Sequence, residues 1–195
     1  IASPGSNFTT FASMNKVQLS SFNNNWYKPG GSLIGRVLWY FINAFFFASY
    51  FPFNKVKITL LKLFGAEVGV GVVIKPSVTI KYPWNLSIGD HVWIGEKAWI
   101  DNLGKVTIGN NVCVSQGAML LTGNHDYKKT SFDLMVGTIV LEEGTWIGAR
   151  SVVCPGVMCR SHSVLSVGSV AVSNLEAYSI YQGNPAVKVR DRVIT

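Results

Sequence analysis

The string TGNHDY, residues 122–127, sets an imidazole among an amide, a carboxylate and a phenol: His125 stands beside Asn124, Asp126 and Tyr127. With an unperturbed pKa of about 6.5, a histidine held there could take a proton from a hydroxyl at neutral pH, the work of a general base. His91 and His162 stand differently. Each falls three residues after a position of a regular apolar repeat, a phase that turns it outward into solvent at a corner. Asp101 and Asn102, in WIDNLGK, fit either corner-turn chemistry or contact with a ligand. Trp146 faces outward on a strand, where a tryptophan suits an interface. Cys113, Cys154 and Cys159 contain no CxxC pair, and Cys159 takes an apolar repeat position in place of an aliphatic, so a reducing compartment fits best.

What must position these residues is a hydrophobic repeat of six: Val68, Ile74, Ile80; Ile88, Ile94, Ile100, Val106; Ile108, Val114, Leu120; Leu141, Ile147, Val153, Cys159, Leu165, Ala171. A second slot four places on carries small or β-branched residues, from Val72 and Val78 to Ser163 and Ser169. Neither a helix nor a flat strand has this period. It predicts a short strand and a tight corner repeated three times per coil, an all-β solenoid whose coils are stable only when stacked. The count breaks three times, at Ile80 to Ile88, at Val106 to Ile108, and over 21 residues from Leu120 to Leu141. The first two read as local corner adjustments. The third must leave the coil as a loop, and long excursions from a rigid scaffold are where function concentrates.

The remaining segments divide accordingly. Residues 1–13 are a polar mixture expected to be a vector-derived remnant or disordered, with Met14 as the natural start, and no cleavable signal peptide is evident. Residues 14–65 form an apolar, helical segment, residues 66–176 the solenoid with its excursion at 122–138, and residues 177–195 a short C-terminal tail. Within LIGRVLWYFINAFFFASYFPF, residues 33–53, Arg36 and Asn43 interrupt a run barely long enough to span a bilayer, so a cap on the open end of the solenoid or a helix on a membrane surface is favoured over a span. Of 195 residues 48% are hydrophobic and 14% charged, with 17 basic against 10 acidic side chains, a net charge of +7. That balance suits an anionic ligand or surface, and the scattered cations with no recognised nucleic-acid module argue against nucleic acid.

TGNHDY, GTWIGARSVVCPGV and GNPAVKVR together resemble the hexapeptide-repeat O-acetyltransferases, and KLFGAEVG, YPWNLSIGD and WIDNLGKVTIG resemble the branch of colanic acid and exopolysaccharide biosynthesis acetyltransferases. The resemblance spans about residues 30–192. It implies a left-handed parallel β-helix, a homotrimer with active sites between subunits, and acetyl transfer from acetyl-CoA to a hydroxyl of a saccharide or lipid-linked precursor, without a metal. His125 would be the base. Asp101 or Asn102 would meet the acceptor with Asn124, Asp126 and Tyr127, and Trp146 would pack on acceptor or pantetheine. Ala149, Val167, Gly168 and Val172 would follow the pantetheine arm, and Lys188 and Arg190 would meet the phosphates; Ser173 departs from a basic residue common in relatives. The expected location is the cytoplasm, as the cysteines suggest, and residues 33–64, whose lysines beside apolar aromatics are compatible with anionic lipid, leave open either a cap on the solenoid or peripheral contact at the inner face of the membrane.

Two other readings stay open. A carbonic anhydrase of the same helix type needs three histidines on one metal, and this chain has Thr130 where that family carries its second loop histidine. A trimeric, non-catalytic scaffold of a polysaccharide assembly complex would lack affinity for CoA.

Overall fold

A computed structural model describes residues 15–195; the expectations for residues 1–13 and Met14 lie outside the described residues. From Glu67 the chain winds a parallel β-solenoid of about six turns. Three faces are each built from strands of two or three residues stacked in register. The first holds Glu67–Val68, Leu86–Ile88, Val106–Ile108, Ile139–Leu141 and Met158–Cys159. The second holds Val73–Ile74, Trp93–Ile94, Cys113–Val114, Trp146–Ile147 and Val164–Leu165. The third holds Thr79–Ile80, Trp99–Asp101, Met119–Leu121, Val152–Val153 and Val170–Ala171.

Every ladder residue from Val68 to Ala171 is buried, and so are the second-slot residues. In the later coils that slot carries Thr145, Ser151, Ser163 and Ser169 beside Val157; Ser151 Oγ donates to Ser166 O at 2.7 Å, and Ser169 Oγ accepts from the Gly183 N–H at 3.0 Å, while Ser163 Oγ is buried without a hydrogen-bond partner among the described residues. Small residues there allow the close corners that apolar bulk would block.

The first coil has no coil beneath it, and its exposed strand groups would be unpaired. Helix α1 (Leu33–Ile42), started by Ser32 Oγ accepting the Gly35 N–H, widens into one looser turn at Asn43–Phe47; helix α2 (Asn54–Leu63) follows Pro52. Trp39, Phe47 and Leu61 bury against the coil. Polar groups on the helices take up the strand edge: Trp39 Nε1 donates to Ile80 O, Asn43 Oδ1 accepts from Ile80 N–H, Asn54 Oδ1 accepts from Ile74 N–H, and Lys57 Nζ donates to Lys75 O. Burial pushes the Lys57 ammonium below its ordinary pKa. Among the described residues no helix is long and apolar enough to cross a membrane.

At the other end the C-terminal tail folds as an antiparallel hairpin, Ser179–Gly183 with Ala186–Asp191, added to the second face beyond Val164–Leu165. Tyr181 and Ala186 anchor it in the core, which is why the chain does not trail into solvent there.

Candidate functional site

All three breaks in the repeat fall at the same corner, between the third face and the first, and they stack. The lowest is the short turn Pro83–Asn85, the next Leu103 to Lys105, and the uppermost the excursion after Leu121. Asn102 locks the lower two: buried, its Oδ1 accepts from the Tyr82 N–H at 2.9 Å and its Nδ2 donates to Tyr82 O, while Asn85 Nδ2 donates to Leu103 O at 3.0 Å. Thr122 locks the upper two, its Oγ1 accepting from Gly104 N–H at 2.9 Å and donating to Asp101 O at 2.7 Å. A Cβ at Gly104 would come 2.9 Å from Val136 Cγ1 and 3.2 Å from Gly137 O, so any larger residue would have to displace the return strand of the excursion.

On this column the excursion folds as a hairpin, Gly123–His125 against Leu134–Val136. The pairing brings the Phe132 carbonyl 2.9 Å from His125 Nδ1, and the Phe132 ring stacks on the imidazole with centroids 4.4 Å apart. A carbonyl only accepts, so Nδ1 carries the proton and Nε2 is left with its lone pair. Asn124 Oδ1 accepts from the His125 N–H at 2.8 Å, holding the strand end. Asp126 serves the turn: its N–H donates to Asp133 O and its Oδ1 accepts from Lys128 N–H. Tyr127 is exposed.

A strap from the N-terminal segment runs along the column. Trp84 Nε1 donates to Pro29 O at 2.7 Å, Tyr27 Oη donates to Leu103 O at 2.9 Å, Phe22 lies against the His125 ring at 5.7 Å, and Gln18 N–H donates to Thr130 O at 2.8 Å. Burial, and secondarily Tyr82 and Asp101, push the Tyr27 phenol up to about 12. None of the strap residues, nor Phe132, was singled out from sequence; the return leg SFDLMVG was the available signal for Phe132.

Asp101 lies in the third face, beside Lys81 at 2.9 Å; the ammonium is off the hydrogen-bonding direction, and Asp101 Oδ1 is buried without a hydrogen-bond partner among the described residues. With Arg36, Tyr40, Lys81, Tyr82 and Trp99 it lines a cleft of about 400 Å³ between α1 and the coil. Asn102, one residue on, faces inward. Its polar atoms are spent on Tyr82, which corrects its expected place at the acceptor.

The second face carries a separate groove of about 470 Å³ lined by Ser115, Trp146, Ala149, Val167, Arg190 and Arg192, among others. Trp146 Nε1 donates to Ser115 Oγ at 2.9 Å. Gly148 keeps the floor at backbone level, since a Cβ there would come 2.6 Å from Val167 N. Of the residues expected along it, Ala149, Val167 and Arg190 line the groove; Gly168 and Val172 do not. Lys188 does not either. A bulge leaves Val189 unpaired, so Arg190 pairs with groove-facing Ile180, but Lys188 pairs with Tyr181 on the opposite side, where Glu176 at 3.1 Å and Asp191 at 2.9 Å neutralise it. Arg192 also lines the groove, its Nη1 donating to Gly144 O at 2.9 Å and to His162 O at 3.1 Å. The second face lies across the three-sided coil from the His125 corner, so one chain does not bring base and groove together.

His91 and His162 occupy the corner between the first and second faces, both with left-handed backbone, φ 55° and 58°. Among the described residues no group of three or more His, Cys, Asp or Glu side chains could hold a metal ion.

No family model matches this chain. Over 167 residues it is 39% identical to WcaF of Escherichia coli K12, a protein named for a proposed role as a colanic acid biosynthesis acetyltransferase, covering 85% of this chain and 92% of WcaF. The chain belongs to the hexapeptide-repeat acetyltransferases. As a member it is an acyltransferase enzyme, and its coil is the left-handed parallel β-helix of that family. Galactoside O-acetyltransferase of Escherichia coli K12 is 29% identical over 141 residues, 68% of this chain and 67% of that one. Among solved structures, a hexapeptide-repeat acetyltransferase from Vibrio cholerae superposes with a TM-score of 0.75 at 21% identity, covering 83% of this chain and 92% of that one. A galactoside acetyltransferase in complex with coenzyme A superposes with 0.72 at 22% identity, covering 81% and 80%.

Proposed function

We propose that this acyltransferase moves an acetyl group from acetyl-CoA to a hydroxyl of a saccharide, with His125 as the general base. The observation that carries the reading is the bond from His125 Nδ1 to the Phe132 carbonyl, which leaves Nε2 free to accept a proton. A sugar hydroxyl is a weak nucleophile at neutral pH, and a positioned base is worth roughly 10²–10⁴-fold. The names of WcaF and of the galactoside enzyme support a saccharide acceptor.

The second-face groove suits acetyl-CoA. Its aliphatic walls and backbone-level floor fit a pantetheine arm, and Arg190 and Arg192 fit phosphates. The thioester supplies an already activated acyl group. What remains for this chain is to hold the acceptor hydroxyl at His125 Nε2, take its proton as the oxygen attacks the thioester carbonyl, return that proton to the departing CoA thiolate as the C–S bond breaks, and keep Phe132 and Phe22 packed about the ring so that its orientation is fixed. The carboxylate of Asp101, ion-paired with Lys81, and the rings of Tyr40 and Trp99 suit a sugar in the neighbouring cleft.

A homotrimer belongs to this proposal. Base and groove lie on opposite sides of one coil, so the groove must come from a neighbouring copy for hydroxyl and thioester to meet at Nε2. Light scattering on the purified protein is expected to give three times the chain mass. Incubation with acetyl-CoA and a panel of saccharides, read by mass spectrometry, is expected to yield O-acetyl esters. Acylation confined to amino sugars, at nitrogen, would overturn the hydroxyl acceptor.

A further inference from the structure

We infer that the N-terminal cap docks on an anionic lipid bilayer, with α1 lying in the plane of the interface; this goes beyond the acyl-transfer reading and does not depend on it. A surface helix normally turns its polar side to water. Helix α1 and its last turn are apolar on both sides. Trp39, Ile42 and Phe47 pack on the coil, with Arg36 and Asn43 at the cleft, yet Leu33, Ile34, Val37, Leu38, Phe41 and Phe45, spaced i, i+1, i+4, i+5, i+8 and i+12, are all exposed. Ile34 is 73% exposed, Leu33 and Phe45 69% each. The apolar exposure continues beyond the helix through Tyr50 at 79% to Leu63 at 76%, joined by ring contacts of Phe46 with Phe51 and of Phe51 with Phe53.

Charge selects the occupant. Between residues 15 and 66 the chain has six basic side chains and not one acidic one, although the whole chain has ten acids. Lys55 and Lys62, on α2 next to the exposed Val56 and Leu63, are themselves exposed. A second copy of this chain would set these cations against one another, whereas a bilayer with anionic headgroups neutralises them while its acyl region accepts the apolar side chains. Geometry sets the depth. Leu33 to Phe47 rises about 22 Å as a helix, short of the roughly 30 Å hydrocarbon core, and its inward face is committed to the coil, so it rests on the membrane.

The test is flotation of the full chain with vesicles of phosphatidylcholine alone or mixed equally with phosphatidylglycerol, at low and high salt. Binding to the anionic vesicles, weakened by salt and nearly absent on phosphatidylcholine, is expected. Replacing two cations, K55Q/K62Q, is expected to lower partitioning by roughly thirty-fold, taking about 1 kcal/mol per cation near such a surface. I34Q/F45Q, which alters only exposed side chains, is expected to abolish flotation while leaving the oligomeric mass and thermal midpoint unchanged. No flotation with either vesicle, equal flotation with both, or K55Q/K62Q matching the parent would overturn the inference. So would an assembly that I34Q/F45Q breaks into smaller particles, because the face would then belong to a second copy. Acetyl transfer to a saccharide in solution is measured separately, so a failure here leaves the reaction standing.

Discussion

Replacing Asn102 by Ala removes the amide that ties the lower two stacked corners together. Two bonds vanish, the Tyr82 N–H donating to Oδ1 and Nδ2 donating to Tyr82 O, and the side chain is fully buried, so water cannot simply replace it. An unsatisfied buried donor or acceptor costs about 1–3 kcal/mol; with Tyr82 itself partly exposed, the sum for the pair is roughly 2–4 kcal/mol. For a chain of this size that lowers the thermal midpoint by about 5–15 °C. N102D should fare no better, because its carboxylate keeps the acceptor for the Tyr82 N–H but faces the Tyr82 carbonyl with a second acceptor. Thermal unfolding by circular dichroism and the KM for the acceptor, measured below the lowered midpoint, separate the two roles. The account predicts a large loss of stability with KM within about twofold. A midpoint within roughly 2 °C of the parent together with a KM raised tenfold or more would refute it and return Asn102 to the acceptor site.

Arg190→Gln should raise the KM for acetyl-CoA roughly tenfold, as loss of a charge-assisted contact to phosphate, whereas Lys188→Gln should leave it nearly unchanged; initial-rate kinetics showing the reverse would place the phosphates on the other side of the hairpin. Ser161 donates both Oγ–H and backbone N–H to Glu142 Oε2 at 2.8 Å, which holds that carboxyl below the ordinary value of 4.5. Its stabilisation is full above the unfolded-state pKa and is lost as pH falls through the lower folded value, so S161A should unfold at a higher pH in an acid titration; an unmoved midpoint would contradict the pairing. Burial pushes the Cys159 thiol up to about 12, so iodoacetamide at pH 8 should spare it in the folded protein and label it only after denaturation, as read by peptide mapping.

The coil was legible because its stacking rule is local: one apolar residue in six must meet its counterpart in the next turn, and every ladder position from Val68 to Ala171 is buried. The breaks were equally legible as breaks. That they stack was less so, because it depends on which face each break leaves; yet Ile80, Ile100 and Leu120 share one face, and the corner adjustments at Tyr82 and Asn102 turn out to support the excursion bearing His125. Phe132 and the strap contacts at Phe22 and Tyr27 carry no period, since they arise from a loop folding on itself and a Gly- and Asn-rich segment meeting residues far along the chain. The pairing of Lys188 with Arg190 as neighbours failed for a different reason: a single extra residue, Val189, reverses which side of the strand each occupies.

In the proposed reaction His125, oriented by the Phe132 carbonyl, takes the proton from the acceptor hydroxyl. The most direct test of that step is transfer of labelled acetyl from acetyl-CoA to an acceptor established with the parent enzyme, measured with His125→Ala and with binding of CoA measured alongside. Acetyl transfer lowered by roughly 10²–10⁴-fold, with CoA affinity retained, is expected. Transfer at close to the parental rate would contradict it.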